Sequence, residues 1–388
     1  MTTEQHQDII QQSTNTTKRQ LASIQVITAL DPIPGADRIE VAQVLNWQCV
    51  VKKGEYKVGD NVVYIEVDSK LPERPEFEFM RERKFKVKTI KLKKQISQGL
   101  IMPISILPAE YTNNVGGDVT EVLGITNYVK DLENEDGGNV DIQQQSRIIK
   151  YLMKYKFFRT IYFKMNSNIK GGWPIDLAGP KTDETRIQVA ASILMRHYTE
   201  DWYIAEKLDG SSFTAFTYKT KSWLRTIKKF GVCSRNIWLK TENESNFWAI
   251  AKKYDLEKKL LRYNDTYSIQ GEIVGPSIQK NKYKLTEHKL YVFNVFKNGV
   301  KLHLHNALQF CTDNNLDFVP IQYMQFNPAV KIGNIDTVQK VVNHMVELSK
   351  GKSELYKCNR EGIVVRLVSN PDVSFKVINP EFLLESED

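Results

Sequence analysis

The sequence lacks paired cysteines and long apolar runs. Its four cysteines stand alone, at Cys49, Cys233, Cys311 and Cys358, which argues against a zinc site and against a disulfide framework. Isolated thiols are typical of an intracellular, reducing compartment, such as cytoplasm or nucleus. No apolar stretch of about 18 residues occurs, so we expect no membrane span. The polar N-terminus also lacks the apolar core of a signal peptide.

A P-loop for nucleotide phosphates is missing as well. Gly54 and Gly59 have its glycine spacing, but Asp60 and Asn61 occupy the positions of the required Lys and Ser/Thr. The 388-residue chain is basic, with 54 Lys and Arg against 46 Asp and Glu and a formal net charge of +8. A basic excess suits a polyanionic partner such as a nucleic acid.

The distribution of apolar and turn-forming residues predicts four regions. Residues 1–20 are polar and are predicted to be a disordered lead-in. Residues 21–128 contain short alternating runs between turns, which is typical of a small β-barrel such as the OB-fold. Residues 129–172 begin with a polar, glycine-containing run and are predicted to be a linker and connecting helical segment. Residues 173–388 mix helices with mostly antiparallel strands, so the fold class is α+β.

Two stretches of the last region have helical patterns. Residues 247–263 are predicted to form a helix, and residues 336–350 repeat apolar side chains with a helical period. Asp336 and Gln339 can form a capping box for the second helix, and Gly351 can end it.

The segment most suggestive of chemistry is Ala-Glu-Lys-Leu-Asp-Gly-Ser at 205–211, between two predicted strands. Lys-x-Asp-Gly alone is a weak signal, because a hairpin turn with a solvated Lys has the same sequence. Further segments with charged or aromatic residues follow it in order: 231–236, 270–275, 290–295, 360–366 and 374–379.

This ordered series resembles motifs I, Ia, III, IIIa, IV and V of the covalent nucleotidyltransferase superfamily, which contains RNA ligases, DNA ligases and mRNA capping enzymes. The resemblance covers about residues 181–384. It implies a nucleotidyltransferase domain with an ATP-grasp-like ligase fold, antiparallel sheets and flanking helices. It also implies that AMP passes from ATP to the enzyme through a covalent bond to Lys207.

The resemblance assigns the phosphate chemistry to five residues. Lys207 is the expected nucleophile, and because an attacking amine must be neutral, we expect a nearby divalent cation and another cationic side chain to lower its pKa. Lys376 is expected to contact the α-phosphate. Asp209, Glu272 and Glu361 are expected to supply oxygen ligands to Mg²⁺ or Mn²⁺. Asp209 or Glu272 can instead hydrogen-bond the ribose.

Other motif residues are expected to hold the nucleotide. Arg235 can bind the ribose or the 5′-phosphate of the strand to be sealed. Phe293 or Tyr291 can stack on adenine, since strand alternation puts both on one face. In this superfamily the residue before the nucleophile, here Glu206, can read the base edge.

The last motif departs from the family pattern. The family often has a second Lys two positions after the first, but Ile378 stands at that position. Either Lys376 carries the role alone, or a Lys from elsewhere in the chain substitutes.

Domain order selects a branch of the superfamily. DNA ligases and capping enzymes carry an OB domain after the last motif, whereas the OB-like segment here precedes the first. This order, together with residues 32–40, 50–59, 96–101 and 180–184, resembles a branch of nick-sealing RNA ligases with an N-terminal OB domain.

The resemblance therefore implies a monomeric, ATP-dependent enzyme that joins RNA 3′-hydroxyl and 5′-phosphate ends at duplex nicks, through lysyl-AMP and RNA-adenylate intermediates. The alternatives are a capping guanylyltransferase and a non-catalytic RNA-binding protein that uses its OB domain. A predicted basic strand face in this domain can meet the RNA or can simply be solvated. Its lysines are Lys84, Lys86, Lys88, Lys91, Lys93 and Lys94.

Overall fold

The chain divides into two compact units, Met1–Asp131 and Leu132–Asp388. A computed structural model describes residues 20–112, 114–127, 170–181, 184–221, 225–240, 242, 245–333 and 337–385. Nearly all of the predicted lead-in and most of the predicted linker lie outside these ranges.

The first unit is built on a five-stranded sheet with the order β3-β2-β1-β4-β8. Its strands are β1 Ala22–Pro32, β2 Ile39–Val44, β3 Trp47–Lys52, β4 Asn61–Ile65, β5 Ser69–Lys70, β6 Thr89–Leu92, β7 Gln95–Gln98, β8 Leu100–Pro103 and β9 Thr126–Asn127. The first half of β1 pairs with β4 and its second half pairs with β2, with a register shift between Ile27 and Ala29. This change of partner places Ile24 in one apolar core and Ile27 in a second one.

The prediction that six lysines of the first unit form one basic strand face is wrong. A 3₁₀ helix covers Pro75–Arg83 and ends at Lys84, whose backbone is left-handed with φ 53°. The strand that follows begins only at Thr89, and Lys93 and Lys94 lie in the tight turn to β7 with positive φ. The lysines therefore do not line up along one strand.

The second unit contains two sheets, whose strand orders are β10-β14-β13-β12-β15-β16-β17, with β18 beside β16, and β19-β11-β20-β21. The strands are β10 Lys170–Gly171, β11 Trp202–Lys207, β12 Ser211–Lys221, β13 Thr226–Cys233, β14 Trp238–Leu239, β15 Tyr267–Val274, β16 Lys289–Lys297, β17 Val300–Lys301, β18 Asp317–Phe318, β19 Ile321–Phe326, β20 Gly362–Leu367 and β21 Ser374–Ile378. Apart from the parallel β16–β18 pair, neighbouring strands are antiparallel, as predicted.

Helices cover these sheets. They are α1 Ile175–Ala178, α2 Ile187–Arg196, α3 Asn246–Lys253, α4 Leu256–Leu261, α5 Leu304–Asp313, α6 Pro328–Lys331, α7 Val338–Ser349 and α8 Pro380–Glu385. Apolar side chains of α2 and α7 pack with those of the smaller sheet into one buried core. Those of α3, α4 and α5 pack with the larger sheet into another. The helices thus support the sheets that carry the predicted sequence motifs.

Two details of the predicted helices differ from the structure. Residues 247–263 form α3 and α4 rather than one helix, because Asp255 between them takes a left-handed backbone with φ 50°. The N-cap of α7 is Thr337, whose hydroxyl accepts a hydrogen bond from the N–H of Lys340. Asp336, the predicted cap, lies outside the described residues.

The four cysteines are free thiols, and three of them, Cys49, Cys233 and Cys311, are buried. In the part of the chain that the structure describes, no helix is long and apolar enough to cross a membrane.

Candidate active site

A cleft of about 790 Å³, counted with its open mouth, collects most of the predicted site residues. Its walls come from both sheets of the second unit and from the chain between them. The lining residues are Glu184, Tyr203, Ala205, Glu206, Lys207, Leu208, Ser212, Arg235, Glu272, Phe293, Phe318, Val319, Val364, Arg366 and Lys376. Its lining combines an aromatic ring with several charged side chains, a composition that suits a nucleotide.

The predicted nucleophile stands where the chain crosses between the sheets. Lys207 ends β11 of the smaller sheet, and β12 of the larger sheet begins at Ser211. The turn between them needs glycine, because a Cβ on Gly210 would lie 2.3 Å from the backbone oxygen of Ile273 and 2.8 Å from the Cγ of Glu272. This close approach brings Glu272 beside the turn.

The Lys207 amine is surrounded by carboxylates. Its Nζ lies 2.7 Å from both oxygens of Glu361, and its side chain is 27% exposed. Burial acts to lower the pKa of Lys207, but the charges of Glu361, Glu272 and Asp209 outweigh it, so the pKa is raised. In the protein alone the expected pKa depression is therefore absent, and the amine is an ammonium ion.

Burial opposes the ionisation of two of these carboxyl groups. Burial, with the charge of Glu361 adding to it, raises the pKa of Asp209 to about 6. Burial also raises the pKa of Glu272 to about 8, although the charge of Lys207 opposes this. Such raised pKa values indicate a site that would gain from further positive charge.

This donor set fits a divalent cation that it shares with a substrate. Among the described residues, no group of three His, Cys, Asp or Glu side chains is arranged to hold a metal ion. Mg²⁺ is usually held by one or two carboxylates together with phosphate oxygens and water, so a complete protein cage is not required. Asp209, Glu272 and Glu361 are the side chains that would hold it.

The two predicted phosphate-binding cations also line the cleft. Lys376 lies on β21, directly opposite Val364 of β20. Arg235 is exposed in the loop between β13 and β14, and its charge acts on Glu272. Ile378, at the position of the family's second Lys, is 7% exposed and pairs with Gly362.

The structure distinguishes between the two aromatic residues that were predicted to stack on the base. Phe293 lines the cleft, whereas Tyr291 is buried in an apolar cluster and does not. A register shift in the β15–β16 pairing beside Phe293 breaks the simple alternation that placed both rings on one face. The carboxylate of Glu206 accepts a hydrogen bond from the N–H of Glu354 at 2.9 Å, while its Oε1 has no hydrogen-bond partner.

Two groups of site residues were missed from the sequence. Lys282 lies 3.2 Å from the carboxylate of Asp209, and the hydroxyl of Tyr283 accepts the Asp209 N–H. At the other end of the cleft, Arg366 and Glu184 form a buried ion pair. Glu184 and Arg366 lie within quoted motifs but their pairing across 182 residues has no local signal, and Lys282 lies outside every motif.

Family models match both parts of the chain. Residues 21–104 match an OB-fold domain and residues 200–378 match the RNA ligase family. No curated protein matches the chain in sequence. The matches agree with the predicted order, in which an OB-fold domain precedes the ligase domain.

Solved structures of an RNA ligase from Naegleria gruberi are similar to this chain. One contains pyrophosphate and one, of a mutant, contains AMP and Mn; each is 27% identical, has a TM-score of 0.73 and covers 94% of this chain and 98% of its own. A mutant structure with ATP and Mn has the same identity and TM-score and covers 95% and 100%. The predicted α+β fold class is confirmed, and the ligase prediction is favoured over the capping enzyme and the non-catalytic binding protein. The chain therefore carries an OB-fold domain at residues 21–104 and, after it, a domain of the RNA ligase family at residues 200–378.

Proposed function

We propose that this RNA ligase seals nicks in duplex RNA, joining a 3′-hydroxyl to a 5′-phosphate with ATP and Lys207 as the site of AMP attachment. The observation that carries the proposal is the Lys207 amine, which sits inside the cleft within 2.7 Å of Glu361 and in the field of Glu272 and Asp209. The Naegleria ligase structures with ATP, AMP, pyrophosphate and Mn support the choice of ATP and a divalent metal.

The charge state of Lys207 defines what binding must achieve. The ammonium cannot attack phosphorus, and its carboxylate neighbours stabilise the proton. A divalent cation bound by these carboxylates would cancel their charge and polarise the α-phosphate. Lys207 can then lose its proton more easily, because the anions that raised its pKa are engaged elsewhere.

The proposed reaction has three steps. The neutral amine of Lys207 forms a bond to the α-phosphorus of ATP, and the bond to pyrophosphate breaks. A 5′-phosphate oxygen of the RNA then attacks the same phosphorus and displaces the Lys207 amine, which gives an RNA-adenylate. Finally the 3′-hydroxyl attacks the 5′-phosphate, loses its proton and releases AMP.

The proposed role of Lys376 is to contact the α-phosphate and to offset negative charge in the transition state. Arg235 is proposed to bind the 5′-phosphate, which its exposed position at the cleft supports. Phe293 is the better candidate for stacking on adenine, since it lines the cleft and Tyr291 does not. The unpartnered Oε1 of Glu206 is available to the exocyclic amine of the base.

The setting of the reaction is also part of the proposal. Free thiols support a reducing compartment, the cytoplasm or the nucleus. We also propose that the enzyme acts as a monomer.

Incubation with ATP or GTP labelled on the α-phosphate, followed by denaturing electrophoresis, tests the first step. We expect ATP to label the wild type and the matched control Lys229→Ala, an exposed strand lysine, and not Lys207→Ala. Labelling that persists in Lys207→Ala, or labelling by GTP alone, would falsify the proposal.

The RNA substrate is tested with the pre-adenylylated protein and no free ATP. We expect nicked duplex RNA to be sealed faster than the same strands without a template. Sealing that requires a DNA 3′-hydroxyl strand, or that prefers free single strands, rules out the nick-sealing role while leaving Lys207 labelling intact.

A further inference from the structure

One end of the cleft holds a buried polar cluster that the three steps above do not use. The Nη2 of Arg366 donates to Glu184 at 3.0 Å, and its Nη1 donates to the hydroxyl of Tyr203 at 2.7 Å and to the backbone oxygen of Phe293 at 3.3 Å. The Arg366 side chain is 4% exposed and that of Glu184 is 20% exposed. The hydroxyl of Ser374 donates to the second oxygen of Glu184 at 2.6 Å.

The pair is charged in spite of its burial. Burial acts to raise the pKa of Glu184, but the charge of Arg366 and the Ser374 hydrogen bond outweigh it, so that the pKa is lowered. A buried ion pair contributes little net stability compared with apolar packing, while loss of one partner leaves an uncompensated charge. A contribution to stability therefore does not explain why the Glu184–Arg366 pair lies in the wall of the cleft.

The backbone connects this pair to Lys376. β21 lies at one end of the strand order of the smaller sheet, so within the described residues one of its sides has no neighbouring strand. The segment at 184–186 covers that side, with the Lys376 N–H donating to the backbone oxygen of Thr185 at 2.8 Å and a parallel bridge between Arg186 and Lys376. Glu184 is the residue directly before Thr185.

The cross-strand register makes the same connection from the other side. Arg366 lies opposite Ser374, and Val364 lies opposite Lys376. Arg366, which is paired with Ser374, binds the side chain of Glu184. Two residues further along, Lys376, which is paired with Val364, donates its backbone N–H to Thr185. The segment is fixed by a charge at one point and by a backbone hydrogen bond at the other.

We propose that Glu184 and Arg366 are positioning residues that hold Lys376 against the α-phosphate, by fixing the segment to which β21 is bonded. The proposal rests on the proposed role of Lys376. It makes Glu184 act through Lys376 and not through contact with the nucleotide, although both Glu184 and Arg366 line the cleft.

A double-mutant cycle tests this, with single-turnover adenylylation of Lys207 measured across ATP concentrations. We expect Glu184→Gln to lower the rate at saturating ATP by about tenfold to 100-fold, since small misplacements of a reacting group cost this much. The ATP concentration for half-maximal rate should change by less than about threefold. In a Lys376→Ala background, Glu184→Gln should cost less than about twofold more, because its route of action is already gone.

Two outcomes overturn the proposal. Equal losses in the wild-type and Lys376→Ala backgrounds mean that Glu184 acts independently of Lys376. A change in half-saturating ATP, or in preference for ATP over GTP, means that Glu184 touches the nucleotide. If even the wild type is not labelled, the proposed function fails instead, so the two failures are distinguishable.

Folding is controlled with milder changes and with a direct readout. Ser374→Ala removes one hydrogen bond to Glu184 and keeps the ion pair, so we expect a smaller effect of the same kind. Glu347→Gln, at an exposed carboxylate on α7 paired with Lys350, should have no effect. In folded Glu184→Gln, hydrogen–deuterium exchange should increase across β21 and stay unchanged in α7; unchanged exchange at β21 contradicts the proposal.

Discussion

Lys207, the proposed nucleophile, is held in an unreactive form. The carboxylates that would bind a metal also stabilise its proton, so the amine of the protein alone is an ammonium ion. Activation then depends on ligands that draw the anions away. The site is thereby protected from attack on electrophiles other than the intended nucleotide.

Glu272 offers a test of this charge balance. Its pKa in the folded protein is about 8, above its ordinary value of 4.5, so the folded state retains a proton that the unfolded chain loses. The contribution of Glu272 to stability therefore declines as the pH rises from about 4.5 to 8. We expect Glu272→Gln in metal-free buffer to raise the melting temperature, by more at pH 8 than at pH 5, while abolishing Lys207 labelling.

Thermal denaturation at several pH values measures the first effect and labelling measures the second. Ser212→Ala, at a cleft residue paired with Glu272 across the strands, is the uncharged control and should not alter the pH slope. An identical slope in wild type and Glu272→Gln contradicts the assigned burial cost.

At the residue scale, the motifs predicted the cleft well where chemistry fixes the residue type. Lys207, Arg235, Glu272, Phe293 and Lys376 all line it. The prediction failed for Tyr291, because the register shift beside Phe293 cannot be read from alternation. Lys282 and the Glu184–Arg366 pair could not be predicted, because their partners meet only through tertiary folding.

At the element scale, the open end of the β20–β21 hairpin depends on a glycine, Gly362, which pairs with Ile378. A Cβ on Gly362 would lie 2.2 Å from the backbone oxygen of Val377, and its φ of 159° is one that L side chains rarely adopt, so both space and backbone conformation require glycine. We expect Gly362→Ala to separate the two strands locally, displacing both Glu361 and Lys376. Labelling should fall by at least about tenfold, with a lower melting temperature.

The matched control is Gly172→Ala, where a Cβ has no atom within 4 Å and the backbone imposes no strain. It should label at the wild-type rate and melt at the wild-type temperature. Full labelling of Gly362→Ala would mean that the hairpin tolerates separation and that its packing does not position the site.

Elements with strong periodicity were predicted, and those that depend on one backbone angle were not. The apolar repeat of residues 338–346 gave α7, and apolar runs gave the cores of β11, β16 and β20. Asp255 splits the predicted 247–263 helix because of a left-handed backbone that Asp only sometimes adopts. The prediction of a basic strand face was wrong for a similar reason, because Lys84 takes a left-handed backbone at the end of a 3₁₀ helix and does not lie in a strand.

At the scale of the whole molecule, the two units have separate apolar cores. We therefore expect residues 170–388 to fold when produced alone and to retain labelling at Lys207, because every cleft residue lies in this part. Sealing of nicked RNA should fall far more than labelling, since OB-folds commonly bind nucleic acids and we expect this domain to contact the RNA. Circular dichroism, labelling and sealing assays separate these effects; full sealing by the fragment would remove the OB-fold domain from RNA recognition.

The net charge of +8 leads to a prediction about RNA affinity. Binding of nicked RNA, measured by fluorescence anisotropy, should weaken as salt rises, with a linear dependence of log affinity on log salt. Lys207 labelling by ATP should change much less over the same range. A salt-independent RNA affinity would mean that phosphate contacts do not dominate binding.

The order of the two domains was predictable because each has its own local pattern of strands and turns. The path of the chain between the two sheets of the ligase domain was not, because both sheets are antiparallel and their strands have similar composition. Strand pairing between residues far apart, such as β11 with β20, joins the smaller sheet. Such pairing is decided by packing and not by neighbours in sequence.

The cleft draws its groups from two sheets, with Lys207 and Lys376 on one and Glu272 and Phe293 on the other. A nucleotide bound there would add a further connection between two sheets that already contact each other, for example through Arg366 and Phe293. Once AMP is bonded to Lys207, that connection cannot dissociate. We therefore expect the adenylylated enzyme to hold the two sheets together more rigidly than the free enzyme does.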